Sequence, residues 1–222
     1  MKIIITGSSK GIGLAVTKRF LKEGFEVVGI DMLSTPINNP LYQHYICDIS
    51  NKDSLPKITK VNYLFNNAGL QNSGDDITNN LIGTINVTKK YAFEKTIKSV
   101  LFNASSSAST GFEFDEYVAS KAGIVGYMKH VACLLAKNKA TCNSISLGGV
   151  ITDSNKPVMD DEDLWDEIMD VTPLGKWMTL DEVADWVYFL LVTNKSMSGQ
   201  DVLIDNGEKD LNSTFVWPSD KC

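Results

Sequence analysis

Short apolar runs alternate with longer segments of helical period from one end of the chain to the other. Residues 2–6 (KIIIT) read as a short buried strand. Six more follow at 26–30 (EVVGI), 42–49 (YQHYICDI), 61–69 (VNYLFNNAG), 99–106 (SVLFNASS), 141–149 (TCNSISLGG) and 201–207 (DVLIDNG). Between the first two, 14–24 has helical period and ends at Gly24, a residue suited to a C-cap. Further helices are predicted over 77–94, 116–137 and 179–192. The last carries Asp181 and Glu182 in its first turn, where carboxylates complement the helix dipole. This alternation predicts an α/β chain with a parallel sheet and helices on both faces. No repeat, low-complexity linker or composition shift divides it, so 1–222 reads as one domain, with 208–222 a tail of no clear periodicity.

Composition narrows the function classes. The 222 residues are enough for one sizeable core and short for two, and 43% apolar content belongs to a globular chain. A net charge of −6 without a basic block argues against a nucleic-acid partner. No apolar run approaches a membrane span. The chain begins on a strand-like segment rather than a signal peptide, and Cys47, Cys133, Cys142 and Cys222 form no CxxC pair and no metal-ligand spacing with His44 or His130. These features lead to the expectation of free thiols, no metal site and a cytoplasmic location.

Two local patterns carry chemistry. The first strand runs into TGSSKGIG, Thr6 to Gly13, and then a helix. Glycines at 7, 11 and 13 allow a tight turn and close backbone approach, and the N–H groups opening the helix suit a pyrophosphate. Asp31 ends the second strand about 20 residues on, where a carboxylate can accept from an adenosine ribose diol and repel a 2′-phosphate. That favours NAD; Lys10, inside the loop, could pair with such a phosphate, so NADP remains open. The second pattern is EYVASKAG, 116–123, which sets Tyr117 and Lys121 one helical turn apart among small residues. A cation there would favour the phenolate and lower the tyrosine's pKa toward working range.

Taken in order, TGSSKGIG, CDI (47–49), NNAG (66–69), YVASK (117–121), LGGVIT (147–152) and TPLGKW with SGQDVLIDNG resemble the short-chain dehydrogenase/reductase family, over nearly all of the chain. The resemblance implies a single-domain Rossmann fold with a doubly wound, seven-stranded parallel sheet. It implies an enzyme that interconverts an alcohol and a carbonyl by hydride transfer with NAD, or with NADP. Cofactor contacts are implied at Gly7, Ser9, Lys10, Gly11, Ile12 and Gly13, at Asp31, Asp48 and Ile49, and at Asn67, Ala68 and Gly69. Tyr117, Lys121, Gly148, Val150 and Thr152 complete that set.

The family's catalytic serine, tyrosine, lysine and asparagine are carried over as Ser106, Tyr117, Lys121 and Asn80. Ser106 is chosen over Ser105, Ser107 and Ser109 as the second serine of the strand-end pair, and Asn80 over Asn79 and Asn86 from NLIG. Tyr117 would move the proton, Ser106 would bind the substrate oxygen, Lys121 would also hold the ribose, and Asn80 would hold a relay water. The sequence departs from the family at Leu147, where proline is usual, and is short over 51–60 and 70–79.

The substrate, a small-molecule alcohol or carbonyl, is expected to be shaped by 153–172, whose apolar positions have the spacing of a lid helix with a solvated acidic face. A 3-oxoacyl-thioester reductase and a small polyol, sugar or hydroxysteroid dehydrogenase are the kinds of activity implied. The resemblance also implies a homodimer or homotetramer. A nucleotide-sensing or scaffold protein that keeps the fold without turnover is the competing reading; intact Tyr117, Lys121 and Ser106 count against it.

Overall fold

In the computed structural model, which describes residues 1–211, seven parallel strands form one sheet in the order β3-β2-β1-β4-β5-β6-β7. The strands are β1 (Lys2–Thr6), β2 (Glu26–Asp31), β3 (Tyr42–Ile46), β4 (Tyr63–Asn66), β5 (Ser99–Asn103), β6 (Thr141–Leu147) and β7 (Asp201–Ile204). Helices α1 (Gly11–Lys22), α2 (Gly83–Tyr91), α3 (Ser107–Thr110) and α4 (Asp115–Leu135) fall between them. They are followed by α5 (Lys156–Met159), α6 (Glu162–Val171) and α7 (Leu180–Tyr188). Most of the tail, with Cys222, lies outside the described residues.

The side-chain period of a strand explains the two-sided core. In β1, Ile3 and Ile5 point to the layer of α1 and α7 with Val16, Phe20, Val183 and Val187. Ile4 points to the other layer, with Val87 and Tyr91 of α2 and Ile124, Met128 and Val131 of α4. Both faces are covered, so the strands read as near-continuous apolar runs. β6 is fully buried yet polar, and its polar groups are satisfied: Ser144 and Ser146 donate to Asp201 at 2.6 and 2.9 Å, and Asn143 donates to the Met197 carbonyl at 2.9 Å.

The strand order reverses between β1 and β4, the place where an open α/β sheet leaves a crevice at its carboxyl ends. The loops leaving those two strands are laced together there. Thr6 Oγ1 accepts from the Asn67 and Ala68 amides at 2.9 and 3.0 Å, and Asn67 Nδ2 donates to the Thr6 carbonyl at 3.0 Å.

Several boundaries differ from those expected. β3 stops at Ile46 because Asp48 turns the chain, accepting from the Ser50 amide at 2.8 Å. The helix expected over 77–94 opens as a π-turn, Ile77–Ile82, before α2. Its 79–82 stretch packs against α4 and the Leu70 turn, and such bulges cluster at functional sites.

Candidate active site

The glycine loop is built for close approach. A side chain at Gly13 would overlap the Gly7 carbonyl, and a β-carbon at Gly7 (φ +67°) would lie 2.9 Å from the Ala68 backbone. The open amides at the start of α1 are thereby held against the β4 loop. Asp31 sits beside them: its Oδ2 accepts from the Ser9 amide and its Oδ1 from the Leu33 amide, both at 2.9 Å. Lys10 is exposed on the other flank, where its charge reaches Asp153. A cleft of about 840 Å³ opens on that flank, between Ser9, Lys10 and Gly11 on one side and Ile151, Thr152 and Asp153 on the other. These features fit a dinucleotide: a backbone cradle with no room for side chains, free helix N–H groups, and a carboxylate at the end of β2.

The other expected cofactor residues gather at the same edge. Ile49 is buried beneath Gly83, and its carbonyl accepts from Asn86 at 3.1 Å; Asp48 is exposed next to it. Beyond β6, a β-carbon at Gly148 would lie 2.9 Å from Asp205 Cα, and Val150 is buried on a bridge to Met178. Leu147, the departure from proline, ends β6 in register with Ile204, and its carbonyl accepts from the Ser106 amide at 3.0 Å. Gly149 has no space for a side chain because the Trp177 indole fills it. Trp177 meets Trp165 of α6 edge-to-face at 5.0 Å, so the expected lid helix hangs on the loop that follows β6. The acids of α6 face solvent while Trp165, Ile168 and Met169 are partly covered.

Tyr117 and Lys121 lie in the first turns of α4, a short way from the wide cleft and not on its walls. Lys121 is 4% exposed; its ammonium donates to the Asn103 carbonyl at 3.0 Å and lies 5.4 Å from the centre of the Tyr117 ring. Burial lowers its pKa to about 8, against the upward pull of Glu113 and Asp76. Ser120 donates to the Tyr117 carbonyl at 2.7 Å and accepts from Asn80 Nδ2 at 3.1 Å. Asn80 also clamps Leu70 from both sides, accepting from its amide at 2.7 Å and donating to its carbonyl at 2.8 Å. A β-carbon on Gly69 would lie 3.1 Å from Asn80 Oδ1 and 3.5 Å from Lys121 Nζ, so the β4 loop runs directly beside the ammonium.

Among the candidate serines, Ser105 is the one whose hydroxyl bears on the Tyr117 phenol, tending to lower its pKa. Ser106 starts α3, spending its amide on Leu147 and its carbonyl on Ser109 and Thr110. One expectation needs correction: the tyrosine's pKa is not lowered in this state. Burial first, then the charges of Glu113 and Asp76, push it up to about 12, against the opposing influence of the Ser105 hydroxyl.

Asp76 and Glu113 were missed by sequence reasoning. Asp76 is buried, accepts from the Asn72 and Ser73 amides at 2.8 and 3.0 Å, and bonds the Ser73 hydroxyl. Burial acts against its ionisation, yet these bonds and the Lys121 charge bring its pKa below the ordinary value. The cluster NSGDD, an Asx-type turn ahead of a helix, was its signal.

The family model described as enoyl-(acyl carrier protein) reductase matches residues 7–209. The chain belongs to the short-chain dehydrogenase/reductase family. A short chain dehydrogenase of Penicillium brasilianum, ausX, is 28% identical over 244 residues, covering 92% of this chain and 94% of that protein. Two solved structures share the fold. A 4-hydroxyisoleucine dehydrogenase complexed with NADH has TM-score 0.83 and 23% identity, over 95% of this chain and 99% of the other. ElxO with NADP bound also has TM-score 0.83 and 23% identity, over 93% and 98%. Among the described residues no helix is long and apolar enough to cross a membrane.

Proposed function

We propose that this chain interconverts a secondary alcohol and a ketone of a small molecule by hydride transfer with NAD(H). The observation that carries the reading is the Lys121 ammonium. It is 4% exposed and held against the Tyr117 ring, with a single backbone carbonyl as hydrogen-bond partner among the described residues. A buried cation of that kind is costly to a fold and belongs with function. The bound nicotinamide would supply or receive the hydride. Tyr117 Oη would take the alcohol proton in oxidation or give it up in reduction. Ser105, in place of Ser106, would donate to the substrate oxygen as charge builds on it. Lys121 would hold a ribose hydroxyl and bias Tyr117 toward the phenolate. Asn80, with its side chain bonded to Leu70 and Ser120, would brace the turn next to Lys121 and hold the relay water nearby.

Asp31 supports NAD over NADP. Its carboxylate closes the β2 end, bonded to the Ser9 amide, where it would repel a 2′-phosphate. Two kinds of substrate suit the family, a 3-oxoacyl thioester and a small polyol, sugar or hydroxysteroid. The exposed acids of α6 weigh against the strongly anionic phosphopantetheine form of the first. A cytoplasmic homodimer or homotetramer completes the proposal. The test is a panel of alcohols and ketones with each nicotinamide cofactor, read by the absorbance of the reduced ring. Turnover with NAD(H) is expected; no turnover of any member by wild-type protein that binds cofactor would favour a nucleotide sensor.

A further inference from the structure

We infer that Tyr42 and His44 of β3 are specificity-determining positioning residues, which hold the Asp31 carboxylate in the orientation that takes an adenosine ribose diol and refuses a 2′-phosphate. The inference rests on the preference for NAD(H) proposed for Asp31. The two side chains stand on one face of the edge strand and join the glycine loop to the turn that follows β2. Ser8 Oγ lies 3.1 Å from Tyr42 Oη, which lies 2.9 Å from His44 Nδ1. His44 Nε2 lies 2.8 Å from the Leu33 carbonyl oxygen, and Ser9 Oγ donates to the same carbonyl at 3.2 Å. The bonds make a circuit from Ser8 through β3 and Leu33 back to Ser9, its neighbour in the glycine loop.

The direction of these bonds follows from one atom. A carbonyl oxygen only accepts, so His44 Nε2 carries a proton. In the neutral imidazole Nδ1 then accepts from the Tyr42 hydroxyl, and Tyr42 Oη accepts in turn from Ser8. Each hydroxyl and each imidazole nitrogen of the circuit has a partner, and Ser8 is fully buried. Room for it is made by β2. Gly29 is in register with His44, and a β-carbon there would lie 2.1 Å from Tyr42 Oη and 2.4 Å from Ser8 Oγ. A glycine inside a strand weakens the strand; this one leaves the space in which Ser8 and Tyr42 meet.

The circuit acts on Asp31 through Leu33 and Ser9. The Leu33 amide donates to Asp31 Oδ1 and the Ser9 amide to Asp31 Oδ2, both at 2.9 Å. Both carboxylate oxygens are thus aimed by residues that the circuit holds, Leu33 by its carbonyl and Ser9 by its hydroxyl. Packing does little to fix the turn, because Met32 and Leu33 are 54% and 50% exposed. Without His44 the Leu33 carbonyl keeps only the Ser9 donor of its two, and the carboxylate is freer to turn from the ribose and admit a phosphate. The role of Tyr42 and His44 is exerted through Asp31.

The experiment is calorimetric titration with NADH and with NADPH, and needs no substrate. The proteins are wild type, His44→Leu, His44→Gln, Tyr42→Phe, Asp31→Ser and the double variant Asp31→Ser with His44→Leu. His44→Leu should weaken NADH about 3- to 10-fold, the scale of one or two neutral hydrogen bonds, and NADPH less, so that the ratio of the two affinities falls. Tyr42→Phe keeps the aromatic ring and should shift the ratio the same way by a smaller factor. His44→Gln offers an N–H near the position of Nε2 and should restore most of it. With Asp31→Ser already in place, His44→Leu should move the ratio no further. A ratio unchanged in both His44→Leu and Tyr42→Phe overturns the inference, and so does an equal loss of both cofactors, the mark of a merely structural role. A full further shift on top of Asp31→Ser overturns it as well. Tyr42→Phe decides the matter if His44→Leu does not fold. A wild-type preference for NADPH would overturn the reading of Asp31, and the shift between wild type and variants still decides the role of the pair.

Discussion

Lys121 Nζ lies 5.4 Å from the centre of the Tyr117 ring and has its only hydrogen-bond partner among the described residues in the Asn103 carbonyl, 3.0 Å away. An ammonium that is 4% exposed and so sparsely paired is a liability to the fold.

Replacing it should therefore stabilise the protein. Its folded pKa is about 8, below the ordinary 10.5, so the unfolded chain holds the proton more tightly between those values. The destabilisation is full below about pH 8 and fades as pH rises toward 10.5, where the lysine is neutral in both states. Lys121→Met should be more stable than wild type at neutral pH by about 1–3 kcal/mol, after allowing for the bond lost at Asn103. Denaturant unfolding at neutral and alkaline pH checks this; the gain should shrink at the higher pH. A loss of stability at neutral pH would mean that the ammonium is better solvated than its burial implies.

Cofactor choice rests on Asp31. Calorimetry should find NAD(H) bound more tightly than NADP(H), because a phosphate and this carboxylate would share one small space. Asp31→Ser should cut the preference about tenfold or more, the scale of a charge-assisted hydrogen bond together with a lost repulsion. A wild-type preference for NADP(H) would place Lys10 in control.

The two serines separate cleanly. Ser105→Ala should reduce turnover by about 10²–10³, the usual cost of one donor to a developing oxyanion. Ser106→Ala should stay within a few-fold of wild type, since only its backbone is engaged. Steady-state kinetics on any substrate from the panel distinguishes them, and the reverse order would restore Ser106.

Trp165 and Trp177 couple α6 to the loop after β6 through a ring contact at 5.0 Å. Trp165→Ala removes that contact, about 0.5–1.5 kcal/mol beyond its buried area. It should make α6 more susceptible to limited proteolysis and raise KM more than it lowers kcat. Unchanged cleavage would show that α6 is held by other contacts.

Much of this was legible in the sequence because the signals were local. Ile3, Ile4 and Ile5 could only be a strand covered on both faces, and the glycines at 7, 11 and 13 announced a turn that admits backbone and ligand together. Tyr117 and Lys121 were readable from helical spacing. What was not legible depends on distant residues meeting. Ser105 is proposed over Ser106 because it is the serine that bears on the Tyr117 phenol, while the Ser106 amide is taken by Leu147, on a neighbouring strand. The tyrosine's raised pKa comes from burial and from Glu113 and Asp76. Asp76, 41 positions before Tyr117, is held there by the hydrogen bond its backbone N–H donates to the Glu116 carboxylate of α4, at 3.0 Å. An i, i+4 lysine alone suggested the opposite sign.

The central claim is that Tyr117 moves the proton during hydride transfer, and Tyr117→Phe tests it most directly. The substitution keeps the ring and removes the hydroxyl that would move the proton. Cofactor affinity by calorimetry should stay near wild type, while reduction of the best ketone in the panel falls by about two to four orders of magnitude. Turnover of that ketone at the wild-type rate by Tyr117→Phe would contradict the account and leave Tyr117 and Lys121 as a buried structural pair.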